Sequence, residues 1–376
     1  MDFLFLDEKH KRNIMKKKSL VGLIYVTETS GSEKEEIKDL HQIEMMLKSN
    51  VSAKRVQAIH LLRQNDFPES IDLLQNIVLT DSQVPIQELA LISLVVTNPQ
   101  NLMQLLKKLY NDSSEKKEIR ARVVWALSQI KTEEAFELLK EALDDKTEEV
   151  LYWAIVGSIS FESFPEVLSK IRKLLADSRQ SFIRQTAAWA LGSIRDSDAK
   201  ELFEKQLLHD PHPSVKLLCA LALSRLDNFT SIPTLSEALQ KDANEMTRRE
   251  IAYALGSILA YQKIKSQNLE NLLVRDSITT AVRSLSKTLL RDQSYIVRRS
   301  CAEALGKIRD KSAVKHLINA MTMDTNQFVR SEIARALGIM GDSSAIEILT
   351  KASRSQYRKI VESAKKALQQ IRESSE

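Results

Sequence analysis

The chain reads as an all-α solenoid of about ten stacked helical hairpins, and three observations lead there. Ala-Leu pairs recur at Ala126-Leu127, Ala190-Leu191, Ala222-Leu223, Ala254-Leu255, Ala304-Leu305, Ala336-Leu337 and Ala367-Leu368, mostly 31 or 32 residues apart. A fixed period of that size is the signature of a repeat array, in which each hairpin buries its apolar side against its neighbours. With only eight glycines and seven prolines in 376 residues, the chain is too poor in turn formers for an all-β fold. A hydrophobic fraction of 43% with aromatics at 5% suits thin helical layers filled by Ala, Leu and Ile.

Residues 1–32 are expected to form a poorly ordered leader. Lys16, Lys17 and Lys18 precede an apolar run from Leu20 to Val26, which resembles a weak export signal if Met15 is the true start. The run stops at Thr27 and Glu28 with no Ala-x-Ala cleavage site, so a cytoplasmic protein is the expectation and export the alternative. No stretch approaches the ~20 apolar residues that a membrane span needs.

The solenoid is expected over residues 33–376. Its clearest motif helix starts at Val297, with copies from Ile119, Ile183, Val215, Thr247, Val329 and Ile360 and weaker ones from Val51, Ile86 and Val150. Counting the first residue as position 0, positions 0, 4, 7, 8 and 11 share one helical side and hold Val, Ile, Ala, Cys and Leu, which makes them core. Cys219 and Cys301 both stand at position 4, where a buried thiol packs as a small hydrophobe. Position 9, about 180° from position 0, carries Gly192, Gly256, Gly306 and Gly338. Mid-helix glycine costs ~1 kcal/mol against alanine, so its recurrence points to a neighbouring helix packed close. No phosphate-binding glycine spacing occurs.

A second helix follows each motif helix, as over 133–143, 199–208 and 313–321, entered through Pro, Ser, Thr or Asp such as Pro68, Pro99, Pro165 and Asp196. A turn then brings Asp six residues ahead of a basic residue: Asp210 before Lys216, Asp242 before Arg248, Asp292 before Arg298 and Asp324 before Arg330. The step of 50 residues between Ala254 and Ala304 leaves an insertion at about 259–275, expected as a tolerated loop.

The pattern Asp-x5-Arg-x3-Ala-x-Ala-Leu-Gly-x-Ile resembles the HEAT repeat, in the variety found in bacterial and phycobilisome-lyase-like proteins. That resemblance implies a right-handed solenoid whose motif helices line a concave face, and a ladder of Arg298, Arg330 and their equivalents with turn aspartates. It also implies that positions 2, 6 and 10 face the groove. Those positions, with one flanking residue, give the candidate partner-binding surface: Trp125, Gln129, Tyr152, Trp153, Trp189, Leu221, Arg249, Tyr253, Arg299, Lys307 and Arg335. It is aromatic in the middle and basic toward the C-terminus. Trp, Tyr and Arg are the residues that dominate interface hot spots.

Little points to catalysis. There is no HExxH, CxxC or nucleophile-elbow spacing. No His-Glu dipeptide occurs, so the paired His-Glu iron motif of HEAT-type deoxyhypusine hydroxylases is absent. No cofactor is expected. The net charge of +5 is the small difference between 55 basic and 50 acidic side chains, which describes a mixed solvated surface. The expectation is a non-catalytic scaffold or adaptor that binds a protein or peptide segment. The alternative is nucleic-acid binding through the basic C-terminal groove with stacking tryptophans.

Overall fold

The computed structural model describes residues 39–373, except 66, 98–100, 113–116, 131, 160–164, 227 and 266–271. The leader expected over 1–32 lies outside the described residues. Among those residues the chain is helical throughout, without strands, and none of its helices is long and apolar enough to cross a membrane.

The chain divides into two compact units, Met1–Val167 and Leu168–Glu376. The first holds α1 (Leu40–Leu47), α2 (Ser52–Gln64), α3 (Ser70–Thr80), α4 (Val84–Thr97), α5 (Leu102–Asp112), α6 (Lys117–Leu127), α7 (Glu133–Ala142) and α8 (Glu148–Ser158). Helix α9 (Pro165–Asp177) leads into the second unit. There follow α10 (Ser181–Ser193), α11 (Lys200–His209), α12 (Pro213–Leu226), α13 (Ile232–Lys241), α14 (Glu245–Lys265) and α15 (Leu272–Arg291). The unit ends with α16 (Tyr295–Ile308), α17 (Val314–Met323), α18 (Gln327–Met340), α19 (Ile346–Ala352) and α20 (Arg358–Glu373). The even-numbered helices carry the motif. Each unit is thus a stack of helical hairpins, the expected α-solenoid architecture.

Motif positions 0, 4, 7 and 8 are buried as periodicity requires, for example Val297, Cys301, Ala304 and Leu305 in α16. The first weak copy is out of register. Val51 is 53% exposed and precedes α2, and Arg55 takes the position that Arg298 takes in α16. The motif in α2 therefore begins three residues later than its sequence suggested, because Val51 imitates an apolar slot that Ala58 and Leu62 actually supply.

The small residues mark the seam between successive motif helices. A Cβ placed on Gly192 would come within 2.7 Å of the Ala222 Cβ, and one on Gly256 within 2.9 Å of the Ala304 Cα. Position 9 of one helix thus lies on position 7 of the next, at a distance only glycine permits. Gly157 makes a similar approach to Ser128 in the first unit.

Motif helices α16 and α18 stop at Arg309 and Gly341, which adopt the left-handed conformation that closes a helix C-terminus. The next helix opens on a side-chain cap: Asp310 accepts from the Ser312 N–H, Asp342 from the Ser344 N–H, and Thr132 from the Ala135 N–H.

The expected ladder is present except at Arg330, whose following turn carries Ser355 in the aspartate slot; the other basic side chains reach the turn after them. Arg184 donates through Nε and Nη2 to Asp210 at 2.7 and 2.9 Å, Arg248 to Asp292 at 2.7 and 2.9 Å, and Arg298 to Asp324 at 2.6 and 3.2 Å. Arg55–Asp81, Arg120–Asp145 and Lys216–Asp242 repeat the arrangement. Nη1 of Arg298 also donates to the carbonyl of Asp292 in its own turn. Each Asp closes its turn as well, Asp324 accepting from the Asn326 N–H. One guanidinium therefore ties two successive turns together.

Within the insertion expected as a loop at about 259–275, the described residues 259–265 and 272–275 are helix. Helix α14 has 21 residues against 14 in α12, α16 and α18, and α15 has 20 against 10 in α13 and α17. Both extra lengths are rich in helix formers, so extending two helices satisfies the backbone where a long loop would not.

Candidate functional site on the motif-helix face

The candidate residues fall in both units and behave differently in each. In Met1–Val167, the indole of Trp153 is buried, with 8% of the residue exposed, and it sits edge-on to Trp125 at 6.4 Å and to Tyr152 at 4.9 Å. Its placement at a groove edge is corrected: from α8 it packs against Trp125 of α6. Trp125 and Tyr152 remain half-buried, and burial pushes the Tyr152 hydroxyl up to about 12. Gln129 is exposed and donates to the Ser128 hydroxyl.

In Leu168–Glu376, Trp189 and Leu221 are half-buried, and the surface opens from α14 onward. Tyr253 on α14 is 46% exposed, and the Lys307 ammonium from α16 lies 4.6 Å from the centre of its ring. Lys307 is itself 3.0 Å from Glu303. Arg335 on α18 donates to Glu332 at 2.7 Å, and Arg299 on α16 approaches the same carboxylate at 3.6 Å. Arg249 donates to Glu250 at 3.0 Å. A second aromatic group stands beside this row: Tyr295 and Phe328 are 6.3 Å apart, and Lys359 from α20 covers the Phe328 ring at 4.8 Å.

The cations stand at the expected slots, but Glu250 and Glu332, at position 3 just outside them, were not among the candidates. Both carboxylates are buried, and both turn a basic row into a row of ion pairs. The expected basic groove is therefore corrected: Arg249, Arg299, Lys307 and Arg335 each have a carboxylate at hand, so the face has little of the unpaired positive charge that a phosphate backbone draws on. Tyr295 and Phe328 were missed because they precede position 0. Exposed aromatics just ahead of a core slot were the available signal.

The buried thiols carry no chemistry. Burial, with Asp210 nearby, pushes the Cys219 thiol up, and burial beside Asp292 does the same to Cys301, so neither forms a thiolate readily.

A family model described as HEAT repeats matches residues 74–160, 152–224, 201–286 and 282–369. Among curated proteins, the chain is 39% identical over 72 residues to a deoxyhypusine hydroxylase of Candida glabrata, covering 19% of this chain and 22% of the relative. It is 34% identical over 112 residues to a deoxyhypusine hydroxylase of Kluyveromyces lactis, covering 28% of this chain and 33% of the relative. The chain thus spans a third or less of the curated relatives it matches. The crystal structure of Kap121p is similar in fold, with a TM-score of 0.56 and 12% identity over 96% of this chain and 49% of that one. A Kap121p mutant gives 0.61 and 12% over 91% and 43%.

These names correct the expectation of a non-catalytic scaffold. The curated relatives are enzymes. A packing repeat fixes only its constant slots, and a few side chains in the variable ones suffice for chemistry, so repetition by itself excludes no activity. The iron set associated with those enzymes is a separate matter. Among the described residues no group of three or more His, Cys, Asp or Glu side chains could hold a metal ion. His41, His60, His209, His212 and His316 stand on separate helices and turns, and the described residues do not fit that metal.

The repeat model runs from residue 74 to residue 369, over stacked hairpins whose glycines, caps and turn aspartates all serve one packing scheme, and the chain belongs to the HEAT-repeat family.

Proposed function

We propose that this chain is an enzyme that acts on a protein, and that the substrate is held on the motif-helix face of residues 168–376. The observation that carries the enzymatic part is the local likeness to two deoxyhypusine hydroxylases. A protein bearing deoxyhypusine is accordingly the proposed substrate. The face supports a polypeptide. Tyr253, Arg299, Lys307 and Arg335 are half-buried or exposed on helices whose spacing is set by the glycine seam, so little backbone freedom is lost on binding. Their alternation with Glu303 and Glu332 matches a chain of mixed charge. Capture of the substrate is what these residues support; no chemical step is assigned to them.

The test uses the purified full chain as isolated and a deoxyhypusine-bearing protein in air-saturated buffer. The expected result is retention of that protein on the immobilised chain and the gain of one oxygen atom at deoxyhypusine by mass spectrometry. Absence of both overturns the proposal. Retention without the oxygen gain removes the hydroxylase part.

A further inference from the structure

We propose that the last rung of the arginine ladder is a binding pocket for a carboxylate of an acidic peptide segment. In every turn from Asp210 to Asp324 the slot five residues ahead of the motif helix is aspartate, which both closes its own turn and receives the preceding Arg or Lys. In the turn before α20 that slot holds Ser355. Its hydroxyl still accepts from the N–H two residues on, that of Tyr357, as Asp324 accepts from Asn326. The turn-closing half of the aspartate's work is retained, and the charged half is missing.

Arg330 is the side chain left over. It occupies the position of Arg298 one repeat later, and its Nε is buried without a hydrogen-bond partner. It lines a solvent-open cavity of about 670 Å³ together with Lys351, Arg354, Ser355, Tyr357 and Glu347. Three cationic side chains therefore face one carboxylate. Neither Lys351 nor Arg354 is in an ion pair among the described residues, and both are exposed at the rim.

The neighbouring rungs show what this position accepts. Arg184, Arg248 and Arg298 each take a planar carboxylate side-on through Nε and Nη2. A carboxylate brought by another chain would meet the Arg330 guanidinium from the cavity, where Ser355 is shorter than the aspartate of the earlier turns. The cavity is far larger than one carboxylate, and the further cations at its rim suit a segment with two or three acidic side chains. A buried charged donor left unmet is costly, so the ligand gains by satisfying it.

The probe is a hexa-aspartate peptide titrated into the full chain by calorimetry at low salt. Binding is expected, weakened roughly tenfold or more in Arg330→Gln. Ser355→Asp supplies the missing carboxylate within the chain: it is expected to raise the melting temperature and to abolish peptide binding. Unaltered peptide affinity in both variants overturns the proposal, as does failure of Ser355→Asp to raise the melting temperature. Equal binding of free succinate assigns the pocket to a small dicarboxylate, and preference for inorganic phosphate over the peptide assigns it to phosphate; either result overturns the acidic peptide.

Discussion

Within residues 168–376, the turn edge and the motif-helix face both carry rows of arginine–carboxylate pairs, and the two rows do opposite work. On the turn edge the carboxylates are sealed, with 1% of the Asp210 side chain and 6% of Asp324 exposed, and each arginine ties two turns together. On the face the arginines stand out, with 54% of the Arg299 side chain and 46% of Arg335 exposed. Burial separates the roles: on the edge arginine and carboxylate are both sealed and neither can be lost without stranding the other, whereas on the face only the carboxylate is buried and the exposed arginines share it. The edge therefore holds the stack and the face is free to vary.

The comparison is tested most severely at Asp210. Asp210→Ala strands Arg184 and opens a turn, and a loss of about 3–5 kcal/mol in denaturant unfolding is expected. A loss of less than about 1 kcal/mol would place the edge with ordinary surface pairs. The seam between edge and face comes next. Gly256→Val drives a side chain into the Ala304 backbone and is expected to cost about 1–3 kcal/mol. An unchanged melting temperature would mean that the close approach is not required.

On the face, the double change Tyr253→Ala with Arg299→Ala, which leaves the buried Glu332 its Arg335 partner, is expected to leave stability within about 1 kcal/mol. It should weaken capture of the deoxyhypusine-bearing protein roughly tenfold or more, as loss of hot-spot side chains does. Unfolding of that variant, seen by circular dichroism, would return those residues to a structural role.

The smallest effect is that of acid on the edge. Burial pushes the Asp145 carboxyl up, but hydrogen bonds from Arg120 and from the Thr147 N–H and hydroxyl outweigh it and hold the group below the ordinary carboxylate range. A depressed carboxyl adds stability that is complete above its unfolded pKa and is lost as pH falls through the folded value. Unfolding midpoints should therefore decline below about pH 4, and less steeply in Asp145→Asn. Equal acid slopes in the two proteins would show that this rung contributes nothing through charge.

Much of the scaffold is legible in the chain because packing is periodic. The Ala, Leu and Gly slots and the Asp-x5-Arg spacing announce themselves by recurrence, and the buried residues of α10 to α20 follow them. Val51 shows the limit, since a single apolar residue at the right distance imitated a slot three residues away. The insertion shows another: residues that lengthen α14 and α15 carry no repeat signal, and only their helix-forming composition hinted at their structure. The site was harder to find. Glu250 and Glu332 share position 3 but the intervening repeat has Ser300 there, and their effect depends on arginines from the same or the adjacent helix.

From the sequence alone come the repeat, the helices, the core slots and the turn aspartates, because each depends on residues close along the chain at a constant interval. Only the tertiary structure decided that the ladder arginines take the carboxylate of the next turn, that Trp153 is buried, and that the cations of the face have carboxylates beside them. It also decided that Arg330 has no carboxylate. These facts rest on contacts between repeats, where one residue's environment is set by side chains some thirty positions away.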